Sequence, residues 1–356
     1  MFDIYQFLFY NIFMSIAPAE VANIQQPELF FDTEKDNLRE LFTSLGREQT
    51  WTDELGGIVD YVRQRWVGKE HGTNGKDAYT PEQEAAALPI LRRMGFYDEV
   101  LPPIGSSYDQ IDIIGGFMRV NHERISFVKN LLDSGRISLT GPVVFWAGQR
   151  LRDEKEAESL EELMDSNGRY YGADVFENKW VQRQTSLSWE SNELWWRPFA
   201  SETELARLGL LKVYGADLTM HRAQLQLGVH QSEAEVPSRL VVDYRYKLDD
   251  KHEMIIMNAR AVQRKGGGVS RHTTVSCAEE SLAMYPPKEQ SKLLLVSGNP
   301  HTQRTAREVR QVLAEHDRGD VTLEVSGPAA GSKATLQLVL GEVGSQLCLD
   351  AEVLAS

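Results

Sequence analysis

Residues 292–313 read KLLLVSGNPHTQRTAREVRQVL, and their pattern is the clearest indication of the fold class. Its apolar run at 293–296 is long enough for a buried strand. Residues 297–300 (SGNP) then break the strand, because Gly tolerates almost any backbone angle and Pro cannot take part in strand pairing. Beyond them, the apolar residues of 306–313 recur at the spacing of one helix face. The stretch therefore predicts a buried strand that turns directly into a helix.

The polar residues of this turn predict a binding site. In open α/β sheets, ligands bind just outside the carboxyl ends of the strands, where a helix N-terminus offers free N–H groups and partial positive charge. Asn299, Gln303 and Arg304 are therefore candidate binding residues for an anion. Histidine titrates near neutral pH, so His301 is a candidate general acid or base. A hydrogen-bonding or capping role is the alternative for a histidine at such a turn.

The rest of the core alternates strands with glycines and helices. QIDII at 110–114 and PVVFWA at 142–147 are apolar strand candidates, and glycines follow both of them. Helices are predicted after the first of these strands and at 202–213. Further strands are predicted at 239–246, 253–258, 321–325 and 336–340. Such alternation is typical of an α/β fold with a mostly parallel sheet flanked by helices.

Residues 1–105 are predicted to form a helical region that packs on this core, and the α/β domain is predicted to span 106–356. Within the helical region, Thr80 is a predicted N-cap, with Pro81 at the first helical position and Gln83 placed to close a capping box. Two stretches, near 151–200 and 216–250, interrupt the α/β pattern and are predicted insertions.

The first residues form an aromatic stretch, FDIYQFLFYNIFMSIA at 2–17. It is shorter than the roughly 20 apolar residues that a bilayer span requires. No Lys or Arg precedes it, unlike the start of a secretory signal. We expect a helix that packs on the protein body or on a partner, with attachment to a membrane surface as the alternative.

The composition excludes several kinds of partner. The formal net charge of −14 argues against nonspecific binding to DNA or RNA, whose phosphates require clustered Lys and Arg. The only cysteines are Cys277 and Cys348, which suits a reducing compartment and predicts a cytoplasmic protein. Two cysteines cannot supply a thiolate metal site, and we expect no metal cofactor.

Glycines after two of the strands mark further candidate site residues. Gly115 and Gly116 allow a tight turn or the close approach of a ligand, and Arg119 places a cation at the start of the next helix. Gly148 is a further glycine of this kind, directly after the next predicted strand. These glycines form neither the dinucleotide fingerprint nor a P-loop, because no spaced third glycine and no Gly-Lys-Ser/Thr follows them.

Two helix starts add polar candidates. Glu202 is either part of a helix cap or a site residue. Thr273 and Thr274 end a glycine-rich loop that carries hydroxyls and a cation, which suits an anionic ligand. Ordinary N-capping is the alternative for both threonines.

Taken in order, these motifs resemble those of the YdcF/SanA-like family, which are α/β proteins with a Rossmann-like sheet. The resemblance covers about 108–340 and rests on QIDIIGG, FWAGQ, SETELARLG, RHTTVSCAEESLAM and VSGNPHTQRTA. The last segment follows the family's Asp-Pro-Thr-Met-Gln-Arg form at Asn299, Pro300, Gln303 and Arg304, and its His-x-x-Arg form at His301 and Arg304. His272 and Cys277 depart from the family pattern, which usually has Asn at both positions.

The resemblance implies a ligand as well as a fold. YdcF-type members look like binders of S-adenosylmethionine, so this compound is the first candidate ligand. Arg119 and Arg304 would then hold a carboxylate or phosphate, and Glu202 would bind ribose hydroxyls or an ammonium group. The SanA-like branch is associated with the cell envelope.

Three functions remain open. In the first, the protein is a transferase or hydrolase of a nucleotide-like or phosphorylated small molecule, and His301 and Glu202 transfer protons. Alternatively, it binds such a molecule without turnover. As a third possibility, it is an envelope-associated factor that is tethered by the aromatic N-terminus and has no catalytic activity.

Overall fold

A computed structural model describes residues 29–67, 78–116, 118–148, 202–215, 220–226, 241–259, 262–263, 269–270, 273–331 and 334–355. The described chain begins with three helices, namely α1 (Phe30–Ser44), α2 (Leu55–Arg65) and α3 (Pro81–Arg93), with a short 3-10 helix at Glu48–Thr50. The predicted capping box of α3 is confirmed. Thr80 Oγ1 accepts the N–H of Gln83, and Gln83 Oε1 accepts the N–H of Thr80.

The α/β part follows with eleven described strands and five described helices. In chain order these are β1 (Ser106–Tyr108), β2 (Gln110–Ile114), α4 (Met118–Asp133), β3 (Ile137–Leu139), β4 (Val143–Gly148), α5 (Glu202–Tyr214), β5 (Met220–Gln226), β6 (Val241–Lys247), β7 (Glu253–Ala259), β8 (Val262–Gln263), β9 (Val269–Ser270), α6 (Thr274–Met284), β10 (Lys292–Val296), α7 (Thr302–Glu315), β11 (Thr322–Ser326) and α8 (Leu336–Ala355).

Seven of these strands form one sheet in the order β11-β10-β2-β4-β7-β6-β5. The first five run parallel to their neighbours, whereas β6 and β5 pair antiparallel. The predicted insertion near 216–250 therefore includes two strands that widen the sheet, β5 at its edge and β6 beside it. Two small two-stranded sheets, β1 with β3 and β8 with β9, complete the strands.

Helices cover both faces of the sheet, as the sequence predicts for an α/β fold. Ile111 and Ile113 of β2 lie in one apolar cluster with residues of α4 and α5. Leu293 and Leu295 of β10 lie in a second cluster with residues of α6 and α7. The crossovers that leave β2 and β4 thus use one face, and those that leave β7 and β10 use the other. This is a Rossmann-like arrangement, and the predicted fold class is confirmed.

A third apolar cluster joins the two ends of the described chain. It combines α1, α2 and α3 with the inner face of the C-terminal helix α8, including Val339, Val343 and Leu347. The prediction of a strand at 336–340 is wrong, because these residues begin α8. The run LQLVL is apolar enough for a strand, but the buried positions continue at helical spacing through Leu347, and a short run alone does not distinguish the two.

Two predictions concern segments outside the described residues, namely the aromatic stretch 2–17 and the insertion at 151–200. In the parts of the chain that the structure describes, no helix is both long and apolar enough to cross a bilayer.

Candidate functional site

The sheet order creates a crevice between β2 and β10. Among the five parallel strands, β2 comes first in the chain and lies in the middle of the sheet, with β4 on one side and β10 on the other. The connections from β2 and from β10 lead to opposite faces, so their first residues diverge. Ligands of open α/β sheets bind at such a switch point. We call this place the switch-point crevice and define its borders as Gly115, Gly116, Ser297 and Gly298.

The glycine turn after β2 is held by main-chain and side-chain hydrogen bonds. Gly115 N–H donates to Trp146 O at 2.8 Å, and Gly116 N–H donates to Asn121 Oδ1 at 2.8 Å. A side chain on Gly116 would be tight, because a Cβ there would lie 3.2 Å from Val120 Cγ1. The turn therefore consists of bare backbone at the border of the crevice.

A buried arginine that the sequence reasoning missed lies in the crevice. Arg124 of α4 is 4% exposed, and its Nη1 donates to the carbonyl oxygens of Ile114 at 2.5 Å and of Gly115 at 3.0 Å. The same guanidinium lies beside Gly298, where a Cβ would be 3.5 Å from Arg124 Nε. Arg124 thus brings a positive charge to the point where the two strands diverge.

A sequence signal for this arginine exists. Asn121, Arg124, Ile125 and Val128 are all buried and recur at the spacing of one face of α4. Two polar residues in the first turns of an otherwise apolar stripe indicate a function at the helix start. The sequence favours Arg119 instead, because Arg119 follows the glycines more closely.

The motif after β10 is joined to the N-terminal helical region. Asn299 Nδ2 donates to the carbonyl oxygens of Gly95 at 3.1 Å and Asp98 at 2.5 Å. Gln303 Nε2 donates to Met94 O at 2.6 Å. These three acceptors lie just after α3. The amides of Asn299 and Gln303 therefore attach the strand-end turn to the helical region, in addition to any role in binding.

His301 and Arg304 meet the C-terminal helix. Arg304 Nε donates to Glu342 Oε2 at 2.8 Å, and Arg304 Nη1 donates to Glu308 Oε1 at 2.8 Å. His301 Nδ1 lies 2.8 Å from Glu342 Oε1, in an ion-pair contact without the angle of a good hydrogen bond. Two carboxylates therefore balance the charge of Arg304, and one of them also contacts His301.

The electrostatics of this cluster favour its charged form. Burial raises the pKa of Glu342, but the contacts with His301 and Arg304 outweigh it and lower the pKa to about 2. Burial lowers the pKa of Arg304, and the carboxylates of Glu342 and Glu308 raise it above its usual value. Both groups thus remain ionised at neutral pH, and His301 has a fixed carboxylate beside its ring.

The other candidate residues lie along the same carboxyl edge. Arg119 forms an ion pair with Glu123, whose Oε1 is 2.8 Å from Arg119 Nε. Thr273 is the N-cap of α6, because its Oγ1 accepts the N–H of Ser276 at 3.2 Å, and Thr274 is the first residue of that helix. Gly148 ends β4, and Glu202 begins α5 at a position where its side chain is not described.

Several buried polar atoms at this edge are unsatisfied. Asn121 Nδ2 has no hydrogen-bond partner within the described part of the chain, and the same holds for Trp146 Nε1, Asn299 Oδ1, Thr302 Oγ1 and Ser326 Oγ. Because buried polar groups in folded proteins are nearly always hydrogen-bonded, such atoms indicate a place for water or a ligand. Each of the five lies at or near the carboxyl end of a strand or the first turns of the helix that follows.

A concave surface also exists at the opposite, amino edge of the sheet. It is an open cleft of about 200 Å³ lined by Asp109, Gln110, Gly141, Pro142, Arg245, Glu253, Ile255, Tyr285, Pro286 and Lys288. Arg245 pairs there with Glu253 at 2.9 Å. Pockets for small-molecule ligands are usually larger, from roughly 300 Å³ upward. The cleft is therefore too small for a nucleotide-like molecule.

Neither potential metal ligands nor comparison with other proteins indicates what this site binds. Among the residues that the structure describes, no group of three or more His, Cys, Asp or Glu side chains is arranged to hold a metal ion. No protein-family model matches the chain, and searches of curated proteins and of solved structures found no match. The fold and the crevice thus define a Rossmann-like α/β protein with a candidate site at its switch point.

Proposed function

We propose that this protein binds an anionic, nucleotide-like small molecule in the switch-point crevice. The observation that carries the proposal is the position of Arg124, whose buried guanidinium lies at the diverging ends of two neighbouring parallel strands. A buried cation at that point favours a negatively charged group, and the bare backbone of Gly116 and Gly298 leaves space for its close approach.

The neighbouring helix starts support the same class of ligand. After parallel strands, α4, α5, α6 and α7 all begin at the carboxyl edge, so their free N–H groups and partial positive charges converge there. The resemblance to the YdcF/SanA-like family makes S-adenosylmethionine the first candidate ligand. In this proposal Arg124 supplies the cation at the switch point, and Arg304 lies between Glu342 and Glu308.

A thermal-shift screen tests the proposal. Purified protein is heated with S-adenosylmethionine, nucleotides or sugar phosphates, and a compound that binds the folded state raises Tm. Gly298→Ala adds a methyl group 3.5 Å from Arg124 Nε and 3.8 Å from Pro328 Cγ, which are ordinary contact distances. We therefore expect this variant to fold normally and to lose most of the ligand-induced rise in Tm, because the methyl group covers the guanidinium.

The matched control is Gly319→Ala, since a Cβ at Gly319 has no described atom within 4 Å. It should keep the full rise in Tm. Equal ligand-induced shifts in Gly298→Ala and the unmodified protein would place the ligand elsewhere and contradict the proposal, as would the absence of any stabilising compound across the panel.

Acid–base catalysis on the bound molecule is a second candidate function. Its supporting observation is the His301–Glu342 pair, because a carboxylate beside one imidazole nitrogen stabilises the protonated ring and leaves the other nitrogen to transfer a proton. The His301 side chain is 34% exposed, so a ligand can reach it. Mass spectrometry of each stabilising compound after incubation separates turnover from binding alone.

We further propose that the protein works in a reducing compartment, the cytoplasm. Cys277 and Cys348 are not joined in a disulfide, and Cys277 is buried in the cluster between the sheet, α6 and α7. A buried cysteine outside any disulfide is typical of proteins that are not exposed to oxidising conditions.

A further inference from the structure

Asn121 is the best-defined unsatisfied group in the switch-point crevice. Its side chain is fully buried, and its Oδ1 accepts the N–H of Gly116 at 2.8 Å. That bond fixes the orientation of the amide, because only the oxygen can accept from an N–H donor. Nδ2 is therefore the atom left over, and within the described residues it has no hydrogen-bond partner. A buried amide with two unused donor hydrogens indicates an acceptor beyond the described residues, such as a water molecule or a ligand.

The surroundings of Nδ2 indicate which kind of acceptor fits. Asn121 lies in the first turns of α4, a helix of 16 residues, where unpaired main-chain N–H groups give partial positive charge. Arg124 lies one turn further along the same face and contacts the same glycine turn through Ile114 and Gly115. An acceptor placed against these groups is stabilised when it is negatively charged.

We propose that Asn121 is a ligand-binding residue that donates from Nδ2 to an oxyanion of the ligand, at the start of α4. This inference rests on the proposed function and specifies its chemistry. The oxyanion is either a phosphate, as in a nucleotide, or a carboxylate, as in the amino-acid part of S-adenosylmethionine. Both present oxygen acceptors with negative charge, and both fit a site that is built from an amide donor, a helix N-terminus and a guanidinium.

Asn121→Asp is the decisive variant. It keeps the shape of the side chain and the oxygen that accepts from Gly116, but it replaces the donor Nδ2 with a second acceptor. An oxyanion then meets like charge and loses a hydrogen bond, so binding should weaken at least about tenfold. Asn130→Asp is the matched control. Asn130 is an exposed residue of the same helix, and its substitution adds the same charge.

Isothermal titration calorimetry with three probes identifies the oxyanion. The probes are inorganic pyrophosphate, S-adenosylmethionine and 5′-methylthioadenosine, which keeps the nucleoside but lacks the carboxylate. If pyrophosphate binds and Asn121→Asp weakens it, the site holds phosphate. If S-adenosylmethionine binds more tightly than methylthioadenosine and Asn121→Asp removes that difference, the site holds the carboxylate. Asn130→Asp should leave each dissociation constant within about twofold.

Two outcomes overturn the role of Asn121. One is a dissociation constant that Asn121→Asp leaves unchanged for every probe that binds. The other is binding of methylthioadenosine alone, or of no probe. The proposed function survives either result if Gly298→Ala still abolishes stabilisation by some compound in the thermal-shift screen, and it fails with Asn121 if no compound stabilises the protein.

A measurement on the unmodified protein covers the case in which Asn121→Asp does not fold. Hydrogen–deuterium exchange with and without the tightest of the three probes should show added protection in peptides that span 114–122, because the ligand contacts the glycine turn and the first turns of α4. Protection confined to other segments would place the oxyanion elsewhere and overturn the inference.

Discussion

Asp112 is a carboxyl group in the centre of the sheet. It is 2% exposed, and its neighbours on the adjacent strands are Leu295 and Val144. Burial raises the pKa of Asp112 to about 7, even though the hydrogen bond from Gln110 Nε2 at 2.8 Å acts in the opposite direction. The protein thus keeps a proton on this side chain over a pH range in which an exposed aspartate is ionised.

The raised pKa of Asp112 makes the stability of the folded protein depend on pH. The folded pKa of Asp112 lies above the value of 3.8 for the unfolded chain, so the folded state binds more protons between these values. Its contribution to stability is therefore fully present below pH 4, declines as pH rises and is lost above about pH 7. Asp112→Asn cannot ionise. We expect it to raise the free energy of unfolding at pH 8, relative to pH 5, by roughly 1–3 kcal/mol compared with the unmodified protein.

Urea unfolding at pH 5 and pH 8 measures this difference. Asp36→Asn is the control, because the side chain of Asp36 is completely exposed and its substitution should change the two values equally. A pH dependence that is identical in Asp112→Asn and the unmodified chain would show that Asp112 is ionised in the folded protein.

The sequence predicts where the strands end, but it does not predict the buried residues beside those ends. The glycines of QIDIIGG and the SGNP turn predict where the strands end, because Gly and Pro have a strong local preference for turns. Asn121 and Arg124 have no such preference, and their importance depends on a tertiary neighbour, Gly298, that is remote in sequence. Contacts of that kind do not follow from local patterns.

At the scale of elements, the strongest predictions were those with a local physical cause. The start of α3 follows from the reciprocal bonds of Thr80 and Gln83, which involve residues only three apart. The prediction of a strand at 336–340 is wrong, because an apolar run of this length fits either a strand or a helix. The packing of α8 against α1, α2 and α3 favours the helix. Tertiary packing of that kind overrides the preference of a short apolar run.

Two helical glycines should respond to alanine in opposite directions. In α8, a Cβ on Gly344 would lie 2.8 Å from Val62 Cγ1 and 2.9 Å from Val67 Cγ2, so these side chains or the helix would have to shift. In α2, Gly56 is exposed, and no atom of the described residues lies within 4 Å of a Cβ built there. We expect Gly344→Ala to destabilise the protein by about 1–3 kcal/mol and Gly56→Ala to stabilise it by up to about 1 kcal/mol.

Chemical denaturation at pH 7 measures both substitutions on the same scale. If Gly344→Ala is as stabilising as Gly56→Ala, then helix propensity dominates at this position and the close contact between α2 and α8 is not maintained in solution.

At the scale of the whole molecule, α8 connects the helical region with the α/β core. Its inner face completes the apolar cluster of α1, α2 and α3, and its polar side chains bind α7. Asp350 contacts both parts of the molecule. Its Oδ1 accepts from Arg307 Nη2 of α7 at 2.6 Å, and its Oδ2 accepts from the N–H of Phe31 of α1 at 2.7 Å. Helix α8 therefore stabilises α1.

Loss of packing in α8 should loosen the N-terminal helices together. Leu347 is completely buried in the shared cluster, and Leu347→Ala should cost about 2–5 kcal/mol. In hydrogen–deuterium exchange, peptides from α1, α2, α3 and α8 should lose protection to the same extent. Leu354→Ala is the control, since Leu354 is 65% exposed. Faster exchange in α8 alone would show that the helical region is stable without it.

The pairing of β2 with β10 has a consequence for how the protein is made. Gly116 and Gly298, which border the same crevice, are about 180 residues apart in the chain, so the contact between their strands closes a very long loop. A ribosome that has released β2, β4 and β7 has produced most of the sheet, but the edge of β2 that β10 will cover is still exposed. Until β10 emerges, that edge is open to incorrect strand pairing, and the nascent protein has no binding site.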